Sequence, residues 1–147
     1  MEYVGKAHAS SAYLPAQNAL HPEAIKKSPW MSERGFPQSV WFQFEEQKFL
    51  TKIGFSSDWY DVNRAPKKFE VVGSMDCEQF ESTAEVLLVV ENAGFDKEDQ
   101  AKAWMIPEDK QAPYLCIGIN IHSVNDKETG YTSVRKMIMW ENRVALP

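Results

Sequence analysis

The stretch that decides the fold is Leu115-Cys116-Ile117-Gly118-Ile119-Asn120-Ile121, in which aliphatic side chains occupy every second position. Successive side chains of a β-strand point to opposite faces, so this spacing places all four aliphatic residues on one face. Such a stripe predicts a strand that packs one face against an apolar core.

Similar patterns recur outward from this stretch in both directions. Apolar residues alternate in residues 40–44 and again in 51–55, and the polar run 45–48 between them predicts a hairpin turn. Further strands are predicted at 69–74, at 86–90 as a short buried β-branched run, and at 134–140. The one predicted helix is short, over 22–27. The aromatics of these strands are predicted to lie in the core: Trp41, Phe42, Phe44, Phe55 and Trp140.

Turn residues separate these segments, and most of the eight prolines lie outside them. This organisation predicts an all-β fold, an antiparallel β-sandwich or barrel of the jelly-roll type. The chain has 147 residues and shows no repeat, linker or low-complexity tract, so residues 1–147 are predicted to form a single domain.

Charge and composition exclude several classes of function. Sixteen Lys and Arg against 21 Asp and Glu give a net charge of -5, so the chain has no global positive field for a nucleic acid. No apolar run approaches the length of a membrane span, and no signal peptide or glycosylation sequon is visible. We therefore favour an intracellular location, or an extracellular one if the chain is an excised domain. Cys77 and Cys116 are predicted to be two free thiols, with a disulfide or a redox pair as alternatives.

Catalytic and metal-binding signatures are not found in the sequence. The three histidines have no zinc-ligand spacing, no serine lies in a Gly-x-Ser-x-Gly turn, and no glycine cluster matches a phosphate-binding loop. The sequence therefore predicts no enzyme activity, no cofactor and no metal site.

The segment Ser56-Ser57-Asp58-Trp59-Tyr60-Asp61-Val62-Asn63-Arg64-Ala65-Pro66 combines two flat aromatics with carboxylates, an amide and a guanidinium. A sugar presents an apolar C–H face to an aromatic ring and hydroxyls to Asp, Asn or Arg, so this composition suits a carbohydrate. The same residue types suit a protein hot spot. A third interpretation is that Trp59 and Tyr60 fold back as caps on the core.

The order and spacing of several short segments resemble the discoidin domain, also called the coagulation factor type C domain, of the galactose-binding-like jelly rolls. The resemblance covers residues from about 8 to about 141. The segments that carry it are Ala9-Ser10-Ser11, Trp30-Met31-Ser32, Pro37-Gln38-Ser39-Val40-Trp41-Phe42, Lys68-Phe69-Glu70-Val71-Val72-Gly73-Ser74 and Tyr114-Leu115-Cys116-Ile117. The family's pair of cysteines near the two ends of the domain is missing here. Lys26-Lys27-Ser28-Pro29 replaces an acidic turn, which argues against the calcium site of some relatives.

This resemblance implies that a ligand is met by loops at one end of the jelly roll. The corresponding loops are 12–15, 32–35 and 59–64, and the loop before the last strand is expected to join them. The candidate ligand-binding residues are therefore Tyr13, Glu33, Arg34, Trp59, Tyr60, Asp61, Asn63, Arg64 and Tyr131.

The leading hypothesis is a non-catalytic, lectin-like carbohydrate-binding module. The alternative is an intracellular protein–protein interaction module of the same fold, acting as an adaptor or complex subunit. Binding to a phospholipid surface is a third hypothesis, against which the net charge of -5 argues.

Overall fold

The computed structural model describes residues 5–19, 29–58 and 61–141 and is almost entirely antiparallel β-sheet. The strands are β1 (Gly5–Ala9), β2 (Trp30–Met31), β3 (Gln38–Ser56), β4 (Pro66–Ser74), β5 (Glu85–Val90), β6 (Ala101–Met105), β7 (Pro113–Val124) and β8 (Ser133–Glu141). Within the described ranges, the connections include a single helical turn, α1 (Phe80–Thr83), and three 3-10 turns (Ala16–Ala19, Val62–Arg64 and Glu108–Lys110). The all-β prediction is confirmed, and the chain forms a β-sandwich.

Strand β3 belongs to both sheets of the sandwich. Its first part pairs with β1 and β7, and β4 and β5 extend that sheet beyond β7. Its second part pairs with β8 and β6, and β2 extends this second sheet beyond β8. The two sheets are therefore continuous in the chain through one 19-residue strand.

The predicted hairpin over 40–55 is wrong, because the first half of β3 pairs with β1 and β7 and the second half with β8 and β6, so that the two halves do not pair with each other. Its pairing register with β7 shifts between Gln43 and Lys48, and residues 45–47 are exposed there. An irregularity of this kind bends a strand and changes its partners. The charged run is therefore the place where β3 passes from one sheet to the other.

The strands predicted at 69–74, 115–121 and 134–140 are confirmed within β4, β7 and β8. The segment 86–90 is indeed a strand, but it pairs with β4 alone, and Val86 and Val89 are 40% and 45% exposed. The prediction that it is buried is therefore wrong. Trp140 also lies outside the core, at 37% exposure, with the Lys52 ammonium 4.2 Å from its ring centroid. The predicted helix over 22–27 lies outside the described residues.

The core lies between the two sheets and is built from the alternating stripes that predicted the strands. Ile117, Ile119 and Ile121 of β7 are fully buried, as is Met139 of β8. At Gly118 the strands approach so closely that an added Cβ atom would lie 2.2 Å from the carbonyl oxygen of Val40. None of the helices in the described ranges has the length and apolar character needed to cross a bilayer.

The prediction of two free thiols is wrong, because Cys77 and Cys116 form a disulfide with their Cα atoms 5.7 Å apart. Strands β4 and β7 are neighbours, and Ser74 at the end of β4 lies opposite Cys116. The turn that follows Ser74 brings Cys77 back over β7. Phe80 of α1 packs nearby on Trp41, with ring centroids 4.8 Å apart.

Candidate functional site

Four connecting segments meet at the end of the sandwich where β1 and β7 finish and β3, β4 and β8 begin. They are residues 10–14 after β1, 32–37 between β2 and β3, the 3-10 turn at 62–64, and 125–132 between β7 and β8. Antiparallel pairing places these strand ends side by side, so segments distant in sequence become neighbours. The resemblance predicted this clustering of loops.

Backbone hydrogen bonds tie the four segments to one another. The amide of Tyr13 donates to the carbonyl of Met31 at 2.8 Å, and the amide of Gly35 donates to the carbonyl of Gly130 at 2.9 Å. The amide of Asp126 donates to the carbonyl of Asn63 at 3.0 Å. The loops are therefore held together by main-chain contacts, independently of their side chains.

Between these segments lies a cavity of about 480 Å³, which we call the loop cavity. Its lining residues are Tyr13, Met31, Ser32, Glu33, Arg34, Arg64 and Tyr131. Five of the nine candidate residues named from the sequence are in this set: Tyr13, Glu33, Arg34, Arg64 and Tyr131. The volume lies within the range of small-ligand sites.

Arg64 is the most firmly held side chain of the loop cavity. Its Nε lies 2.5 Å from Oδ2 of Asp58, and the two residues are only 8% and 0% exposed. Ser133 Oγ donates to the same carboxylate oxygen at 3.2 Å, and the Arg64 guanidinium carbon lies 5.9 Å from the ring centroid of Tyr131. A guanidinium fixed in this way is a preorganised hydrogen-bond donor.

Tyr13 is the more exposed of the two aromatic side chains of the cavity lining, at 73% of its full surface. Its backbone is fixed because Tyr13 and Leu14 both donate to the carbonyl of Met31, and Leu14 accepts from the amide of Met31. An aromatic ring on a rigid backbone with an open face is a stacking platform for an apolar ligand surface.

Glu33 and Arg34 are exposed and follow β2 in a loop that Gln38 braces. The Gln38 amide nitrogen donates to the carbonyl of Gly35 at 2.9 Å, and its amide oxygen accepts from Ser11 Oγ at 2.6 Å. Ser11 Oγ also accepts from the amide of Glu33 at 3.0 Å. This network connects the Glu33–Arg34 pair to the Tyr13 segment.

The other four candidate residues are Trp59, Tyr60, Asp61 and Asn63. Asp61 caps the 3-10 turn by accepting from the amide of Asn63 at 2.9 Å, and neither residue is among those that line the loop cavity. Trp59 and Tyr60 lie outside the described residues. Met31 and Ser32 line the cavity but were not predicted, although the resemblance had placed them beside Glu33.

The described residues contain no group of three or more His, Cys, Asp or Glu side chains arranged to hold a metal ion. The side chains that line the loop cavity carry one carboxylate, two guanidinium groups, two phenol rings, a hydroxyl and a thioether. These groups can stack on an apolar surface and exchange hydrogen bonds with a polyhydroxylated ligand.

No protein-family model and no curated protein matches this sequence. Solved structures of similar fold are found at low identity. The module CpGH89CBM32-5 from Clostridium perfringens, solved in complex with GalNAc-beta-1,3-galactose, has a TM-score of 0.74 at 14% identity, with 92% of this chain and 94% of that chain covered. The CBM32 of AlyQ, in complex with 4,5-unsaturated mannuronic acid, has a TM-score of 0.72 at 13% identity over 95% and 98% of the two chains.

A third similar structure is chitosan-binding module 2 of a chitosanase/glucanase from Paenibacillus sp. IK-5, in complex with chitotriose. Its TM-score is 0.71 at 10% identity, with 94% of this chain and 97% of that chain covered. These similarities show that the chain has the same β-sandwich fold as these modules.

Proposed function

We propose that the chain is a non-catalytic carbohydrate-binding module of the discoidin-like type, which binds a glycan in the loop cavity. The observation that carries this proposal is the pairing of an exposed aromatic with a fixed guanidinium on one small cavity. Tyr13 is 73% exposed and Arg64 is held by Asp58, and both line the same space of about 480 Å³.

The bound sugar would use both kinds of surface. The apolar C–H face of a pyranose ring stacks on the phenol of Tyr13, while Arg64 and Arg34 donate hydrogen bonds to ring or hydroxyl oxygens. The Glu33 carboxylate accepts hydrogen bonds from sugar hydroxyls. Because the loops are tied by backbone hydrogen bonds, little conformational entropy is lost on binding.

The similar structures support this proposal. The three described above hold GalNAc-beta-1,3-galactose, 4,5-unsaturated mannuronic acid and chitotriose, all of which are carbohydrates. A fold that carries different sugars in different proteins is suited to recognition by exchange of loop residues on a constant scaffold.

A glycan array followed by calorimetry tests the proposal. We expect Tyr13→Ala to weaken binding about tenfold, because loss of one stacking contact costs about 1.4 kcal/mol. Met105→Ala is the matched control, since Met105 is a large apolar side chain with 61% exposure on β6, outside the cavity lining. The proposal fails if the wild-type protein binds no sugar, or if Tyr13→Ala binds as tightly as Met105→Ala.

Trp59, Tyr60, Asp61 and Asn63 stay predicted ligand residues, supported by the resemblance and by the chemistry of their segment. The same calorimetry on Trp59→Ala and Asn63→Ala tests whether the site extends beyond the loop cavity. Unchanged affinity in both variants would restrict the site to the lining residues described above.

The alternative of an intracellular protein-interaction module gives a different outcome in one experiment. A saturating concentration of the sugar selected by the array releases the partners of a lectin and leaves the partners of an adaptor in place. Retention of a stoichiometric protein partner under these conditions, together with a negative array, would replace the carbohydrate hypothesis by the adaptor hypothesis.

A further inference from the structure

We propose that the loop cavity prefers sugars that carry a carboxylate, the uronic acids, over neutral sugars of the same shape, and that Arg34 determines this preference. This inference rests on the proposed carbohydrate-binding function. It goes further by assigning the chemical class of the ligand and the residue that selects it.

The two arginines of the cavity differ in whether a carboxylate compensates their charge. The charge of Arg64 is compensated by the buried carboxylate of Asp58, 2.5 Å from its Nε. Arg34 is exposed, and no ion pair joins it to a carboxylate of the described residues. Arg34 therefore adds an uncompensated positive charge to a cavity in which Arg64 is a fixed donor.

The two arginines contact neighbouring residues of one loop. Arg34 lies against Gly130, since a Cβ atom added to that glycine would be 3.3 Å from Nη1 of Arg34. Arg64 lies beside Tyr131, the next residue in the chain. Both arginines therefore lie beside the segment 130–131, and both line the loop cavity.

Because Asp58 compensates Arg64, the charges left in the lining are those of Arg34 and Glu33, which form no ion pair with each other in the described part of the chain. A uronic acid has its carboxylate on one edge of the ring and hydroxyls on the others. It can therefore form a bidentate ion pair with Arg34 while a hydroxyl donates to Glu33, whereas a neutral sugar can offer Arg34 only weaker, uncharged acceptors.

The attraction of an anionic sugar depends on the charges near the cavity rather than on those of the whole chain. The whole chain carries a net charge of -5, so its overall field does not attract an anion. Any preference for a uronic acid must come from charges inside the cavity. At physiological salt the screening length is about 8 Å, which leaves contacts within a cavity of this size partly effective.

The experiment compares two matched sugar pairs by calorimetry near neutral pH: galacturonate with galactose, and glucuronate with glucose. Each pair differs only in the carboxylate that replaces the exocyclic hydroxymethyl group. We expect the wild-type protein to bind the acid of at least one pair about tenfold more tightly than its neutral partner, which is the gain from one charge-assisted contact.

Variants then locate the preference. Arg34→Gln should bring the affinities for the acid and the neutral sugar to within about twofold of each other, because glutamine keeps hydrogen-bond donors but carries no charge. Arg34→Lys, which keeps the charge but not the bidentate geometry, should retain part of the preference. Lys6→Gln is the control for net charge, because Lys6 is exposed on β1, forms no ion pair with a described residue and does not line the loop cavity.

The possible outcomes distinguish failure of carbohydrate binding from failure of the preference for uronic acids. If none of the four sugars and no glycan of the array binds, the proposed function fails and this inference fails with it. If sugars bind but acid and neutral partners bind equally, or if the preference survives Arg34→Gln, the inference is overturned while the carbohydrate-binding function stands. Loss of preference in Lys6→Gln would likewise overturn the role of Arg34.

Discussion

At the scale of single residues, Arg64 connects the stability of the domain with its proposed ligand site. The same guanidinium forms an ion pair with Asp58, which is fully buried, and lines the loop cavity. A buried ion pair of this kind adds little net stability, because desolvation of both charges offsets their attraction. Removing one partner of such a pair is costly, because the charge of the other partner then remains buried alone.

We therefore expect Arg64→Met to lower the free energy of unfolding by about 3–5 kcal/mol, measured by urea denaturation. The control is Lys68→Met, which breaks the 3.6 Å pair between Lys68 and Glu91, whose side chains are 46% and 74% exposed. That substitution should cost less than about 1 kcal/mol. Equal losses in the two variants would show that burial does not distinguish these ion pairs.

The residues of the loop cavity were named from the sequence by two routes. The resemblance indicated the loops that contain Tyr13 and Arg34, and the mixture of aromatic and charged side chains in residues 56–66 indicated Arg64. Asp58 was part of the segment but was not identified as the partner of Arg64. Its role depends on complete burial beneath the loop, which is a tertiary property that composition does not encode.

At the scale of elements, β3 marks the boundary of what periodicity can predict. The alternation in 40–44 and in 51–55 correctly indicated extended chain on both sides of a polar run. Whether the two segments beside such a run pair with each other or with other strands depends on which strands lie alongside. Here the first part of β3 pairs with β1 and β7, and the second part pairs with β8 and β6. The local sequence of β3 does not indicate these partners, which are distant in the chain.

The disulfide between Cys77 and Cys116 is the covalent tie of the first sheet. It spans 39 positions, so Cys77→Ser should lower the free energy of unfolding by about 2–4 kcal/mol, because the unfolded chain gains conformational entropy when the crosslink is removed. Urea denaturation of the wild-type protein with and without a reductant is the matched comparison, and reduction should reproduce the effect of the substitution.

Thiol titration checks the premise of this prediction. Unfolded, unreduced wild-type protein should present no reactive thiol, and the same protein after reduction should present two, from Cys77 and Cys116. Two reactive thiols before reduction would contradict the disulfide and restore the interpretation made from the sequence.

At the scale of the whole molecule, the strands that were predicted are those with one fully buried face, such as β4, β7 and β8. The strands that were missed, β1, β2 and β6, are five residues or shorter. Each pairs with a single neighbour, so its sequence needs no extended apolar stripe. Edge position alone does not decide this, because β5 is an edge strand of six residues that was predicted. Strands of five residues or fewer are the parts of this fold that the sequence did not indicate.

Because β3 runs through both sheets, we expect the domain to unfold as one cooperative unit. Side chains from both sheets form one continuous core cluster, so loss of packing on one sheet exposes the other. Val71→Ala in β4 and Met137→Ala in β8 remove buried side chains from opposite sheets.

Each substitution should lower the urea midpoint of tryptophan fluorescence and of far-UV circular dichroism by the same amount, with one transition seen by both probes. The wild-type protein is the reference, and its two midpoints should coincide as well. Separate midpoints in either variant would mean that the sheets unfold independently, and that β3 does not couple the two halves of the sandwich.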